Sequence, residues 1–380
     1  MDFTYTEEQR MMKDAAHGFL EKVCPNVEWY LEMDKDEKGY TDELWQGMAE
    51  LGWMGIAFPE EYGGIGGDFL DLIVLLEEMG YKAVPGPFFS SVILGGYTIL
   101  EAGSEDQKQE FLSKISTGEL IMTMALTEPG TTRFNPFLIE TEAKENGDGY
   151  TINGTKLFVS DANVSDYMIV AARTGDNKSS RDGITLFVVD SKSAGIEMSL
   201  LRTVAGDKQC EVVFNNVKIS KANVLGKINE GAAVIEKTLQ KAAVGKSAEM
   251  LGGCHRVMEI SVAYAKERVQ FGKPIGMFQA VQHHCANMKM ATEQSIFITY
   301  KAAWMIANDM EETPKFAAVA KTWVSDAYKK IALIGHQILG GTGYIIEHEM
   351  PIYSRRAKAG EYAFGNPNYQ RDLIATRIGL

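Results

Sequence analysis

The chain has 380 residues, enough for two or three domains with a substantial core. Its 45% hydrophobic and 23% charged residues are those of an ordinary globular protein, not of a disordered or fibrous one. A net charge of −13 argues against nucleic acid or an anionic membrane surface as partner. In chain order, the N-terminus MDFTYTEEQR is acidic and carries no apolar signal core or arginine-rich transit pattern. Residues 1–120 read as helices. Thr6 with Gln9 forms a capping box for the first, and Asp42 to Gly52 forms another. A glycine-rich loop, GWMGIAFPEEYGGIGG, precedes an apolar helix from Asp68 to Met79 that Gly80 closes. The Pro85-Gly86-Pro87 break starts a helix from Phe88 to Glu101, and GSEDQK caps one from Gln107 to Ile115.

The period changes after Gly118. Met122 to Leu126, Tyr150 to Ile152, Lys156 to Val159, Tyr167 to Ala171, Ile184 to Val189 and Glu211 to Phe214 are short β-branched or aromatic runs. Asn146-Gly147, Asn153-Gly154 and Arg181-Asp182-Gly183 separate them as turns, so a β domain is expected to end near Gly226. The segments Ala232 to Glu267, Met277 to Asp309 and Pro314 to Leu339 have the length for an antiparallel helical bundle. No apolar run approaches the roughly 18 residues of a membrane span. Cys24, Cys210, Cys254 and Cys285 form no CxxC pair and read as buried free thiols in a reducing compartment, so a cytoplasmic location is expected.

Four stretches can carry chemistry. In RVQFGKPIGMFQAVQHHCANM, Gly272, Lys273 and Pro274 stop one helix and a second opens near Met277. Arg268 then lies at a helix end, Phe271 in a turn and Gln279 in the first turn of the next helix. A cation, an aromatic face and an amide beside free backbone donors suit an anionic, aromatic cofactor. An ordinary helical hairpin with a surface arginine fits the same pattern. In MALTEPGTTR a strand ends at Leu126 and Pro129-Gly130 turns the chain, aiming the Thr127 hydroxyl and strand-end backbone into a cleft. In GTKLFVSDA, alternation puts Phe158 and Ser160 on one face; a core phenylalanine with a surface serine is the plainer reading. In GHQILGGTGY a helix ends on paired glycines that let backbone approach a ligand. His283-His284 lacks an acidic partner at metal-ligand spacing, so no metal site is expected. There is no GxSxG elbow, no GxxxxGK[ST] phosphate loop, and no GxGxxG between a strand and a helix.

The run R-x-Q-F-G-x-P-I-x-x-F-Q-x-x-Q-H closely resembles the acyl-CoA dehydrogenase family of flavoproteins, and the resemblance extends over essentially the whole chain. It implies an α+β multidomain fold: a helical N-domain (1–120), a β-sandwich or barrel middle domain (121–226) and a four-helix-bundle C-domain (227–380). It implies FAD as cofactor. Arg268, Phe271 and Gln279 would hold FAD, typically that of the neighbouring subunit, and Gln337, Gly340 and Gly341 would also reach the partner's FAD. Leu126 and Thr127 would lie beside the flavin ring. Phe158 would cover the ring, and the Ser160 hydroxyl would bond near its reactive N5. Asn366 and Asn368 are further implied cofactor contacts, and Arg133 and Gly365 implied substrate contacts. The loop G-x-x-G-I-A-x-P-E-E-Y-G-G resembles the family's substrate-side loop. The chain departs from the family after T-E-P, where Thr131, Thr132 and Arg133 replace a common Gly-Ser-Asp segment.

The implied reaction is α,β-dehydrogenation of an acyl-CoA, with electrons passed to an electron-transfer flavoprotein and a homo-oligomeric dimer of dimers as the assembly. The wording GGTGYIIEHEMPIYSRRAKA resembles a branch linked to bulky, branched or alicyclic acyl groups. The family places its catalytic glutamate at one of two positions, which here are Phe364 and Ala242; neither is an acid. Glu361, three residues before Phe364, is the nearest carboxylate and the candidate base. Pairing of Glu361 with Arg355, Arg356 or Lys358 is the alternative. A catalytically silent subunit, or a flavin reductase or oxidase on the same scaffold, fits the missing acid as well.

Overall fold

The computed structural model describes residues 3–130, 133–175 and 181–380; Thr131 and Thr132 lie outside them. The chain begins with helices α1 (Glu7–Val23), α2 (Val27–Lys35), α3 (Asp42–Glu50) and α4 (Phe69–Tyr81). A π-helical segment, Ser90–Gly96, runs into α5 (Tyr97–Ala102), and α6 (Glu105–Ser116) follows. The strands are β1 (Met122–Ala125), β2 (Glu142–Glu145), β3 (Gly149–Ser160), β4 (Tyr167–Arg173), β5 (Ile184–Asp190), β6 (Ile196–Leu201), β7 (Gln209–Ser220) and β8 (Val224–Leu225). Then come α7 (Gly231–Glu267), the hairpin β9 (Val269–Gln270) and β10 (Lys273–Pro274), α8 (Gln279–Ala307), α9 (Thr313–Leu339), α10 (Met350–Tyr362) and α11 (Pro367–Arg377).

The chain divides into two compact units. One comprises Met1–Glu32, Phe69–Val84 and Ala243–Leu380; the other comprises Met33–Asp68 and Pro85–Ala242. The second holds an eight-stranded sheet of order β6-β7-β3-β2-β4-β5-β8, with β1 pairing in parallel to β4. Its core includes Tyr150, Ile152, Val170, Phe187 and Val212. In the first unit, α7 to α11 surround a core that includes Val257, Met288, Val324, Ile331 and Tyr353. Helix α9 supplies its inward stripe at Ala317, Ala320, Val324 and Tyr328, the spacing of one helical face.

Within the first unit, α4 carries two acids that are almost fully buried, Glu77 and Glu78. The Lys13 ammonium on α1 lies 2.8 Å from Glu77 and 3.3 Å from Glu78. Tyr300 on α8 donates to Glu77 at 2.7 Å, and the Tyr5 and Tyr300 hydroxyls are 2.9 Å apart. Burial opposes the Lys13 charge, but Glu77 outweighs it and the net shift is upward.

The capping boxes at Thr6/Gln9 and Ser104/Gln107 form as expected. Four local expectations fail. Gly80 does not close α4 but lies inside it. The segment after Pro87 opens with wider π turns before becoming α-helical. Asn153-Gly154 is not a turn: β3 runs through it with a bulge, where Gly154 takes φ +154° and Asn153 Oδ1 accepts the Asn216 amide across the sheet. Cys285 is only half-buried, unlike Cys24, Cys210 and Cys254. Helix α2 and strands β2, β6 and β8 were not expected; β2 reads EAKE, and its charges hide a strand.

Candidate active site

The sheet unit gathers Leu126, Thr127, Phe158 and Ser160. After β1 ends at Ala125, the next three residues leave the sheet but stay tied to β3. The Leu126 carbonyl accepts from Lys156 Nζ at 3.3 Å, and the Thr127 carbonyl accepts from Leu157 N–H at 2.8 Å. Thr123 Oγ1 donates to the Ser160 carbonyl at 2.6 Å. Phe158 has φ +56° and is 57% exposed. A bulge between Lys156 and Val159 interrupts the pairing with β7 there, so simple strand alternation does not set the direction of Phe158. Phe158 is exposed and Ser160 half-buried, on either side of the buried Val159. Arg133 is exposed.

The bundle unit builds the Arg268 corner. Arg268 follows the last residue of α7, and its carbonyl accepts from Ile275 N–H at 2.8 Å across the β9–β10 hairpin. Among the described residues no acceptor or carboxylate meets its guanidinium, which lies exposed. Phe271 stands at the hairpin tip with φ +54° and 92% exposure. Its ring meets Phe278 edge-on at 6.0 Å, and Gln279 opens α8 immediately after. Gln337 is exposed near the end of α9, and Gly340 and Gly341 follow it. A Cβ at either glycine would meet nothing within 4 Å, so their backbone is open to a ligand.

Within the bundle unit, the exposed guanidinium, the bare diglycine backbone and the exposed Phe271 fit an anionic, aromatic group of the FAD kind; within the sheet unit, the exposed Phe158 offers a second aromatic face. Large side chains rarely take positive φ, and such strain concentrates at functional sites. Of the eight non-glycine residues with positive φ among the described residues, three are phenylalanines: Phe158, Phe271 and Phe364. All three stand at positions singled out in the sequence.

The α10–α11 loop is tightly held. Asn366 caps α11, its Oδ1 accepting from Tyr369 N–H at 3.0 Å, and Asn368 Oδ1 accepts from Arg371 at 3.3 Å. Gly365 is buried, and Phe364, before it, has φ +55°. Lys321, fully buried on α9, donates to the carbonyls of Gly360 at 2.8 Å, Glu361 at 3.2 Å and Gly365 at 3.3 Å. The Glu361 carboxylate accepts from Lys329 and Lys358, each at 2.8 Å. Burial raises its proton affinity, but the two lysine hydrogen bonds outweigh burial and hold it below the usual carboxylate range. This favours an ion-paired Glu361 over a base. Lys358 is the partner expected from the sequence and Lys329 an additional one. Arg355 and Arg356 instead donate to the Pro351 and Val84 carbonyls. Ala242 is fully buried. Among the described residues no cluster of His, Cys, Asp and Glu could hold a metal ion, and no helix is long and apolar enough to cross a membrane.

Sequence reasoning missed Lys156, Glu128 and Lys321. The signal was positional. Lys156 continues the inward series Tyr150 and Ile152 of β3, and Lys321 continues the stripe Ala317, Ala320 and Val324 of α9. A lysine on an apolar face was the clue.

Three sequence profiles match almost end to end: acyl-CoA dehydrogenase N-terminal domain at 6–119, middle domain at 123–217 and C-terminal domain at 229–379. The chain belongs to the acyl-CoA dehydrogenase family. It is therefore an oxidoreductase of the class acting on CH–CH groups, and it depends on FAD. It is 32% identical to a 3-(aryl)acrylate reductase of Clostridium sporogenes, over 98% of this chain and 99% of the other. It is 31% identical to the caffeyl-CoA reductase-Etf complex subunit CarC of Acetobacterium woodii, over 98% of each chain. The butyryl-CoA dehydrogenase structure from Megasphaera elsdenii superimposes with a TM-score of 0.92 at 32% identity, covering 100% of both chains.

Proposed function

We propose that this chain catalyses α,β-dehydrogenation of an acyl-CoA thioester with a branched or alicyclic acyl group and passes the electrons to an electron-transfer flavoprotein. The observation that carries the reading is the coincidence of three strained phenylalanines, Phe158, Phe271 and Phe364, with two positions the resemblance assigns to flavin and one it assigns to the catalytic base. FAD supplies the hydride acceptor. Leu126 and Thr127 line its pyrimidine edge, Phe158 covers the ring, and the Ser160 hydroxyl bonds near N5. Arg268 compensates the diphosphate of a partner's FAD, with Phe271, Gln279, Gln337, Gly340 and Gly341 around it. Asn366 and Asn368 complete the cofactor contacts, and Arg133 and Gly365 face substrate. The assembly is a dimer of dimers in the cytoplasm. The Cα proton goes to Glu361 or to an acid of the N-terminal domain, since neither Phe364 nor Ala242 can take it; the two lysines on Glu361 favour the second.

The test is an anaerobic panel of straight, branched and cyclic acyl-CoA esters scored by flavin bleaching. Bleaching is expected, fastest with a branched or cyclic ester. FAD retained without bleaching by any ester would instead identify a catalytically silent subunit. Arg268→Ala is expected to lower the flavin-to-protein ratio at least severalfold, and a wild-type ratio would make Arg268 a surface residue only.

A further inference from the structure

We infer that Lys156 and Glu128 are positioning residues for the flavin-facing edge of the sheet, an inference that rests on the placement of FAD against Leu126, Thr127, Phe158 and Ser160. The Lys156 side chain is fully buried, and its Nζ lies 2.6 Å from Glu128 Oε1. The Glu128 carboxylate also accepts the backbone N–H of Glu140 at 2.6 Å and of Thr141 at 3.0 Å. Those two residues belong to a segment that Arg173 also braces, donating to the Ile139 carbonyl at 3.2 Å and the Phe137 carbonyl at 3.3 Å, and the Arg173 charge is felt by both Glu128 and Lys156.

The connection to the cofactor edge is direct. Lys156 holds the Leu126 carbonyl, Leu157 holds the Thr127 carbonyl, and Lys156 holds Glu128. Three consecutive residues beyond β1 are thus fixed by two consecutive residues of β3. The next residue of β3 is Phe158, at the bulge. One buried pair therefore sets both the backbone at the pyrimidine edge and the aromatic that covers the ring. A buried ion pair resists displacement because separating it leaves an uncompensated charge in a medium of low polarity. Hydrogen-bond donors at the pyrimidine edge favour the reduced, more anionic flavin, so their placement tunes its potential.

The test uses full-length holoenzyme carrying Lys156→Met with Glu128→Leu. The double change removes both members of the pair and leaves the buried Arg173 guanidinium on the Ile139, Phe137 and Asp182 carbonyls; Glu128→Gln serves as a milder second variant if the double variant does not fold. The readouts are the visible flavin spectrum, FAD affinity, and the FAD midpoint potential from an anaerobic dye titration. We expect a perturbed spectrum, FAD binding weakened about tenfold, and a potential lowered by about 30 mV, which is a tenfold loss of preference for reduced flavin in a two-electron couple. Phe158→Ala is measured in parallel. If Phe158→Ala alters the spectrum while the double variant and Glu128→Gln keep wild-type spectrum, affinity and potential, the positioning role is overturned and the pair is purely structural. If none of the variants moves the flavin, the placement of FAD on this sheet falls as well.

Discussion

Two buried lysines, one in each unit, meet the same problem in different ways. Lys156 in β3 faces the Glu128 carboxylate at 2.6 Å, and that carboxylate also accepts from two backbone amides. Lys321 in α9 meets neutral oxygens only: the Ser325 hydroxyl at 3.1 Å and three carbonyls, two of them in the last turn of α10. Burial pushes Lys156 down to about 8, with Glu128 working against it. Burial pushes Lys321 further, to about 7, helped by Lys246 and opposed by Glu361. Carbonyls at a helix C-terminus favour a cation, but less than a full opposite charge does. The difference teaches that a lysine paired with a carboxylate cannot lose its partner alone, whereas a lysine solvated by backbone can lose its charge without stranding another.

The sharpest way to break the comparison is to remove one partner. Glu128→Ala leaves the Lys156 ammonium buried and two amides unsatisfied, and is expected to cost about 3–5 kcal/mol in urea unfolding. Lys321→Met removes a donor from three carbonyls but leaves no stranded charge, and the expected loss is about 1–3 kcal/mol. A loss for Lys321→Met as large as that for Glu128→Ala would show that carbonyl solvation matters as much as the ion pair.

Titration separates the two lysines further. The unfolded chain holds the lysine proton up to about 10.5, whereas the folded chain releases the Lys321 proton from about 7. Between those values the unfolded state binds more protons, so this group makes stability rise with pH, by at most about 1.4 kcal/mol per pH unit. Urea midpoints of wild type and Lys321→Met are expected to diverge as pH rises from 7 to 10. Parallel curves would mean that Lys321 keeps its proton in the native state up to pH 10, as it does in the unfolded chain. Glu361→Gln has the smallest expected effect, about 1 kcal/mol or less, because Lys329 and Lys358 are 41% and 51% exposed. Flavin bleaching by acyl-CoA is expected to persist in that variant, and its loss with FAD retained would make Glu361 the base after all.

The helix, strand, helix order was legible because hydrophobic period and local breakers write it directly into short windows. The Arg268 corner was legible for the same reason: Gly272, Lys273 and Pro274 mark the hairpin, and the helices begin and end around it. Lys156 and Lys321 were not, because their partners lie far along the chain; Glu128 is 28 residues away and Gly360 is 39. The Phe158 conformation was hidden too, since a bulge depends on the register with β7 and not on β3 alone. The missing acid at Phe364 and Ala242 was plain from the sequence, but the second lysine on Glu361 needed the packing of α9 on α10.

The bundle unit is assembled from three separated stretches, the last ending at Leu380, whereas the sheet unit is complete once Ala242 has been made. On the ribosome, α1 and α4 therefore emerge long before the helix that supplies Tyr300. Lys13 can neutralise Glu77 and Glu78 early, but Tyr300 cannot close over them until α8 arrives. Synthesis order thus favours a nascent chain with a folded sheet unit and a waiting α4 whose apolar face and two acids are still exposed to water. A ribosome stalled well past Ala242 but before α8 should present a protease-resistant sheet unit flanked by cleavable N-terminal helices.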